Sequence, residues 1–250
     1  MIPTEIPFNR NAVQPVECIK AGWDIVREQY WLFVGMSVVA MMISAAVPMG
    51  ILQGPMMCGL NLAFFKLRRR QPVEFADLFK GFDYFGQSLV ATLLYMLPIM
   101  AVVIPAYIIF YLGMIFSIAA QGASGEPSAA APLLILVMYC VFILVLVTLI
   151  LLISVGFTFS YPLIVDRKLP GFDAVRLSFK AAMANFWGLF LMMILTGLLG
   201  LAGYLLCCVG MFLALPIGYA AIDIAYEQVF GLSNPNEERS DLPPPPPTFT

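Results

Sequence analysis

The chain has 250 residues, 61% hydrophobic and 11% charged, with a net charge of −2. A soluble domain carries about a quarter charged residues, so a single globular core cannot hold this much apolar surface, and a bilayer is the fitting solvent. The charge balance offers no basic surface for nucleic acid, and the lack of any histidine removes Ser-His and Cys-His catalysis and His-bound metal sites.

In lipid the backbone must satisfy itself, which leaves helices or a closed barrel. The apolar runs are continuous rather than alternating, so helices are expected. The predicted fold class is all-α. It is a polytopic helical membrane bundle of about six transmembrane helices, with three short amphipathic interfacial helices and a parallel internal repeat.

Residues 1–14 are polar and turn-rich and read as a mobile N-terminal segment. A single helical membrane domain follows over 15–231. Pro15 suits the first turn of a helix. Val16, Ile19, Trp23, Val26 and Tyr30 then recur at helical spacing among Glu17, Lys20, Asp24, Arg27 and Glu28. That pattern predicts an interfacial helix with Trp23 at headgroup depth, or a plain cytoplasmic packing helix. Tyr30 and Trp31 open a first span to Val47, and a second runs from Ile51 to Leu67. Lys66 and Arg68–Arg70 close it, as a topology anchor or as contacts for anionic headgroups.

In the next stretch Phe75, Leu78, Phe79, Phe82 and Phe85 fall on one α-helical face, a second interfacial helix. Span three covers Gly86 to Ala119, with Pro98 and Pro105 inside it, and span four Pro132 to Val165. Both exceed the roughly 20 residues a span needs, so they must tilt, kink or project. A rival reading turns each into a tight hairpin, for eight spans, but would place the loop holding Glu126 inside with no cation to hold it there. Asp166, Arg167 and Lys168 mark the return to the cytoplasm. Phe172, Val175, Phe179, Met183 and Phe186 form a third amphipathic face, before spans five and six. The tail, 232–250, reads as disordered and proline-rich, and Pro243–Pro247 offers a polyproline ligand for a protein partner.

With six spans, the loop and flanking cations lie on one side, which predicts a multi-pass protein of the bacterial inner membrane with both termini cytoplasmic. No cleavable signal peptide is legible at the N-terminus. The five cysteines, Cys18, Cys58, Cys140, Cys207 and Cys208, have no framework spacing and read as apolar packing. Gly50, Gly54 and Gly59 in span two, and Gly197, Gly200 and Gly203 in span five, suit close helix approach.

The repeat units are expected at about 16–70, 73–168 and 172–231. Glu17, Lys20, Trp23, Tyr30 and Trp31 align with Asp173, Arg176, Phe179, Phe186 and Trp187, and Asn61, Leu62 and Phe64 with Asp223, Ile224 and Tyr226. In the middle unit, Val155-Gly156 with Pro162 matches Val209-Gly210 with Pro216.

Asp223 and Glu227 near the inner end of span six, with Asn61, form a candidate intramembrane polar site. Asn61 would bond Asp223 across the bundle, and Lys66 or Arg68–Arg70 would pair with Glu227. The plainer alternative is an acid pair reaching to the cytoplasm. Arg68, Arg69, Arg70, Arg167 and Lys168 are candidate lipid-headgroup contacts. No catalytic constellation, cofactor motif or metal-ligand set is legible.

GPMMCGL before a basic stretch, FADLFKGFDYF, YPLIVDRKLPGFDAVRLS, the NFW threshold and CCVGMFLALPIGYAAIDIAYEQVFG together resemble a family of uncharacterised bacterial multi-span membrane proteins. The layout is also similar to the membrane-anchor domains of some glycerophosphodiester phosphodiesterases, without a catalytic domain. The resemblance implies a six-helix membrane domain and supplies no site residues. The expected function is a non-enzymatic membrane scaffold or accessory protein whose partner is membrane lipid. The alternative is a small-molecule transporter or channel using Asn61 and Asp223.

Overall fold

A computed structural model describes residues 6–47, 50–123, 131–206 and 210–233. The described residues are helical throughout, with no strand among them. The helices are α1 (Pro15–Val26), α2 (Tyr30–Ala46), α3 (Gln53–Arg68), α4 (Phe85–Ala123), α5 (Ala131–Phe157), α6 (Ser160–Arg167), α7 (Gly171–Ala184), α8 (Phe186–Leu206) and α9 (Gly210–Phe230). A 3-10 turn, Arg27–Gln29, joins α1 to α2, and a 3-10 helix, Phe75–Tyr84, precedes α4. Pro243–Pro247, Glu126, Cys207 and Cys208 lie outside the described residues.

Four helical runs are long and apolar enough to cross a membrane: Pro15–Ala46, Phe75–Ala119, Ile135–Arg167 and Phe186–Leu205. Helix α3, with 16 residues, and α9, which carries Asp223 and Glu227, are not in that set. Helix α4 continues through Pro98 and Pro105 for 39 residues, about 58 Å at 1.5 Å per residue. Helix α4 fills the first middle interval and α5 with α6 forms one apolar run, Ile135–Arg167, in the second, so neither described interval folds as a tight hairpin.

The short elements each bury one side and leave the other exposed. On α1 the buried row is Cys18, Gly22 and Val26, while Val16 and Trp23 are exposed. On α7 it is Gly171, Ala174, Ser178, Ala181 and Ala182, while Phe172, Phe179 and Met183 are exposed. The predicted α-helix at Phe75–Tyr84 is wound as 3-10 instead. At three residues per turn its apolar face splits. Leu78 and Gly81 go inward, and Phe79, Phe82 and Phe85 form an exposed row. In all three elements the small side chains meet protein, because they let backbones approach, and large aromatic rings are left outside.

Each short element packs on the long helices of a different part of the chain. Helix α1 lies on α8 and α9, the 3-10 helix on α2 and α3, and α7 on α4, α5 and α6. The 3-10 crossing is backbone against backbone. A Cβ on Gly59 would collide with the Leu78 carbonyl, and one on Gly81 with the Pro55 carbonyl. Gly54 and Gly203 are similarly tight, but Gly197 and Gly200 have nothing within 4 Å of a built Cβ. The expectation that these two serve close packing is corrected: their side of α8 meets no other helix.

Residues 6–14, expected to be mobile, are docked. Val13 is buried in the main core. The Asn9 amide donates to the Val229 carbonyl at 2.8 Å, and the Ala12 amide to Asn185 Oδ1 at 2.8 Å. The deepest packing joins α3, α6 and α9. The ring of Tyr226 lies 5.6 Å from that of Phe65 and 6.2 Å from that of Phe159, within the range in which aromatic pairs add stability beyond area burial.

Candidate functional site

Helices α3, α6 and α9 end close together: the last turns of α3 and α6 carry basic residues, and that of α9 carries Glu227. Helix α3 ends at Arg68, with Arg70 in the left-handed region at φ 55°, and α6 ends at Arg167, with Lys168 there at φ 50°. A left-handed residue after the last turn is a common way to stop a helix. Here it turns the chain so that arginine side chains fold back over the bundle end.

Asp166, in the last turn of α6, is the hub. Its carboxylate side chain is 0% exposed and sits 2.9 Å from Arg69 Nη2 and 3.4 Å from Arg167 Nε. Tyr226 Oη donates to Asp166 Oδ2 at 2.9 Å, and Ser233 Oγ to Asp166 Oδ1 at 2.8 Å. Arg69 reaches the Ser233 carbonyl as well, and Arg167 donates to the carbonyls of Phe230 and Gly231. A buried carboxylate is tolerated when it is paired and fully hydrogen-bonded, and this one ties α3, α6 and the end of α9 into one node.

Beside it, Arg68 grips Glu227 with two bonds, Nε at 2.8 Å and Nη2 at 2.6 Å. This fork-on-carboxylate geometry is the strong form of the pair, and it meets the expectation that the basic cluster would pair with Glu227. Lys66 and Lys80 both contact Asp77 Oδ1 at 2.6 Å, and Asp77 Oδ2 accepts the Glu74 amide at 3.0 Å. Of the five candidate headgroup residues, Arg68, Arg69 and Arg167 are thus engaged within the protein, and Arg70 and Lys168 are exposed.

Asn61 and Asp223 are both buried. The expected bond between them is not formed: neither Asp223 oxygen has a hydrogen-bond partner among the described residues. With 4% exposure, Asp223 does not reach out to solvent either.

Two further polar residues stand out. Asp166 looks in the sequence like a topology mark beside Arg167 and Lys168, and nothing local signals its burial. Asn185 stands in the sequence as part of an aromatic threshold. It is 1% exposed, and its Nδ2 donates to the Asn9 and Ala181 carbonyls, both at 3.0 Å. An Asn directly after α7 and before Phe186 is the one available hint, since Asn favours helix boundaries. Among the described residues no three Cys, Asp or Glu side chains are grouped as metal ligands would be.

A family model described as Protein of unknown function (DUF975) matches residues 27–228. No curated protein and no solved structure matches the chain.

Proposed function

The chain belongs to the DUF975 family, of unknown function, and from its own residues we propose an integral membrane protein that acts without catalysis, as a scaffold or accessory domain in contact with lipid. The observation that carries this reading is the outward face of the three short elements. Trp23, Phe79 and Phe172 are exposed, and the adjoining Trp31 and Trp187 are 75% and 79% exposed. Aromatic rings of this kind favour the headgroup layer. With Arg68, Arg69 and Arg167 engaged internally, lipid contact falls to the rings and to exposed Arg70.

In this reading α2, α3, α4, α5 with α6, α8 and α9 are six spans, and both termini lie on the basic side, the cytoplasmic side of a bacterial inner membrane. The internal repeat is threefold. The order of a short element followed by a long pair recurs three times, and each short element docks on another unit's pair. The docking sites share a pattern: Gly59-Leu60-Asn61-Leu62-Ala63-Phe64, Gly156-Phe157-Thr158-Phe159-Ser160-Tyr161 and Ala221-Ile222-Asp223-Ile224-Ala225-Tyr226. Small residues receive the crossing elements at Gly59, Gly156 and Ala221, where Gly81, Ser178 and Gly22 respectively approach. This register for the middle unit replaces the one drawn from Val155-Gly156 and Pro162.

The chain has three tryptophans, Trp23, Trp31 and Trp187, all at these thresholds, so intrinsic fluorescence reads the proposal directly. In vesicles with lipids brominated at graded chain depths, the shallowest label should quench most. Quenching strongest with the deepest label, or none at all, would refute it. A second reading, a small-molecule transporter or channel, draws on the two unpaired oxygens of buried Asp223, since an acid at membrane depth usually serves a pathway. Asp223→Asn that leaves uptake and growth unchanged would dismiss it.

A further inference from the structure

A cavity of about 160 Å3 lies where α3, α4, α5, α6, α8 and α9 converge. Its apolar wall includes Phe157, Met193 and Ile222, and its polar wall the Gln53 amide and the hydroxyl residues Tyr95, Ser154, Thr158, Ser160 and Tyr161. No Asp, Glu, Lys or Arg lines it among the described residues. A cavity of roughly 150 Å3 is large enough for benzene, so the space suits a molecule of six-membered-ring size.

The direction of the hydroxyl bonds decides what such a molecule must offer. Each hydroxyl has one hydrogen to give and two lone pairs to receive. Ser154 Oγ donates to the Ile150 carbonyl at 2.8 Å, so Tyr95, 3.0 Å away, is the donor to Ser154. Thr92 Oγ1 donates to the Ser88 carbonyl at 2.8 Å, so Tyr161, 3.0 Å away, is the donor to Thr92. Thr158 Oγ1 spends its hydrogen on the Ser154 and Val155 carbonyls. Four wall oxygens have therefore given their hydrogens to the protein and keep lone pairs. Ser160, 1% exposed, has a buried hydroxyl with no hydrogen-bond partner among the described residues. An unsatisfied buried hydroxyl costs about 1–3 kcal/mol, and a polar ligand would relieve it.

We propose that this cavity is a binding site for a small, neutral, hydroxyl-bearing molecule of about ring size, held by hydrogen bonds that it donates to the Tyr95, Thr158 and Tyr161 oxygens and one that it accepts from Ser160. Neutrality follows from the lack of a charged wall residue, because an unpaired charge at this depth is costly. The site goes beyond the proposed lipid role, and its loss would leave the tryptophan depths unchanged.

The full chain in one fixed detergent is titrated calorimetrically with resorcinol, and with m-xylene as the near-isostere that cannot donate. Saturable resorcinol binding is expected, weakened at least tenfold by Thr158→Val, while m-xylene changes less than twofold. Should Thr158→Val not fold, Ser160→Ala serves. It should weaken resorcinol several-fold and raise the melting temperature of the ligand-free protein by removing an unpaired hydroxyl. No saturable resorcinol binding, or equal binding by native protein and a folded variant, overturns the site.

Discussion

Replacing Arg69 by methionine should damage the protein more than neutralising its partner. Arg69 is 29% exposed at the side chain and Asp166 0%, so the two sides of the pair are unequally solvated. Removing one partner of a buried pair costs about 3–5 kcal/mol, because the other charge is left uncompensated. Tyr226 and Ser233 would still donate to Asp166, and Arg167 Nε stays 3.4 Å away. The lower end, about 3 kcal/mol, is therefore expected for Arg69→Met. Asp166→Asn leaves Arg69 with access to water and loses mainly charge-assisted bonds, about 1.5 kcal/mol. The double variant Arg69→Met/Asp166→Asn should be more stable than Arg69→Met alone, since position 166 then holds no uncompensated buried carboxylate. SDS titration in mixed micelles, followed by tryptophan fluorescence, measures all three. The reasoning fails if Arg69→Met costs under about 1 kcal/mol, or if the second substitution fails to recover stability.

Gly59→Ala and Gly81→Ala should each destabilise by about 1–3 kcal/mol, the usual cost of overpacking, because the added Cβ meets carbonyls of the crossing element; the same titration reads this. Gly197→Ala should be neutral or stabilising by up to about 1 kcal/mol, since Ala is the better helix former and nothing lies within 4 Å. Asn185→Ala strands the Ala12 amide and the Asn9 carbonyl. Hydrogen exchange over residues 6–14 should then quicken by tenfold or more, with little change over the core of α9. Unchanged exchange there would mean Asn185 does not hold the segment.

The sequence reading placed the helices well wherever local chemistry speaks for itself. Pro15 does begin α1. The pairing of Glu227 with the basic cluster was one of the alternatives that its position left open. Faces were harder. The apolar stripes of α1 and α7 are open to two readings, facing lipid or packing on protein; the rule that apolar residues go inward favours the second, yet Val16, Trp23 and Phe172 are exposed. That rule presumes water as the surroundings. In a chain where large apolar side chains also cover the outer surface, smallness rather than hydrophobicity marks the contact face, as Gly22, Gly81 and Ser178 do. The 3-10 winding of Phe75–Tyr84, with Gly81 of that element meeting Gly59 of α3, was likewise not legible in the sequence.

Composition and the spacing of charges were enough by themselves to establish a helical chain suited to lipid, the position of its long apolar helices and the gathering of cations near helix ends. These are sums over neighbouring residues, and each residue contributes whatever the rest of the chain does. Which carboxylates are buried, how residues 6–14 dock, and where a cavity with its oxygens facing inward forms were decided only in three dimensions. Those outcomes depend on backbones meeting from segments far apart in the chain, and a hydrogen bond or a collision exists only once both sides are in place.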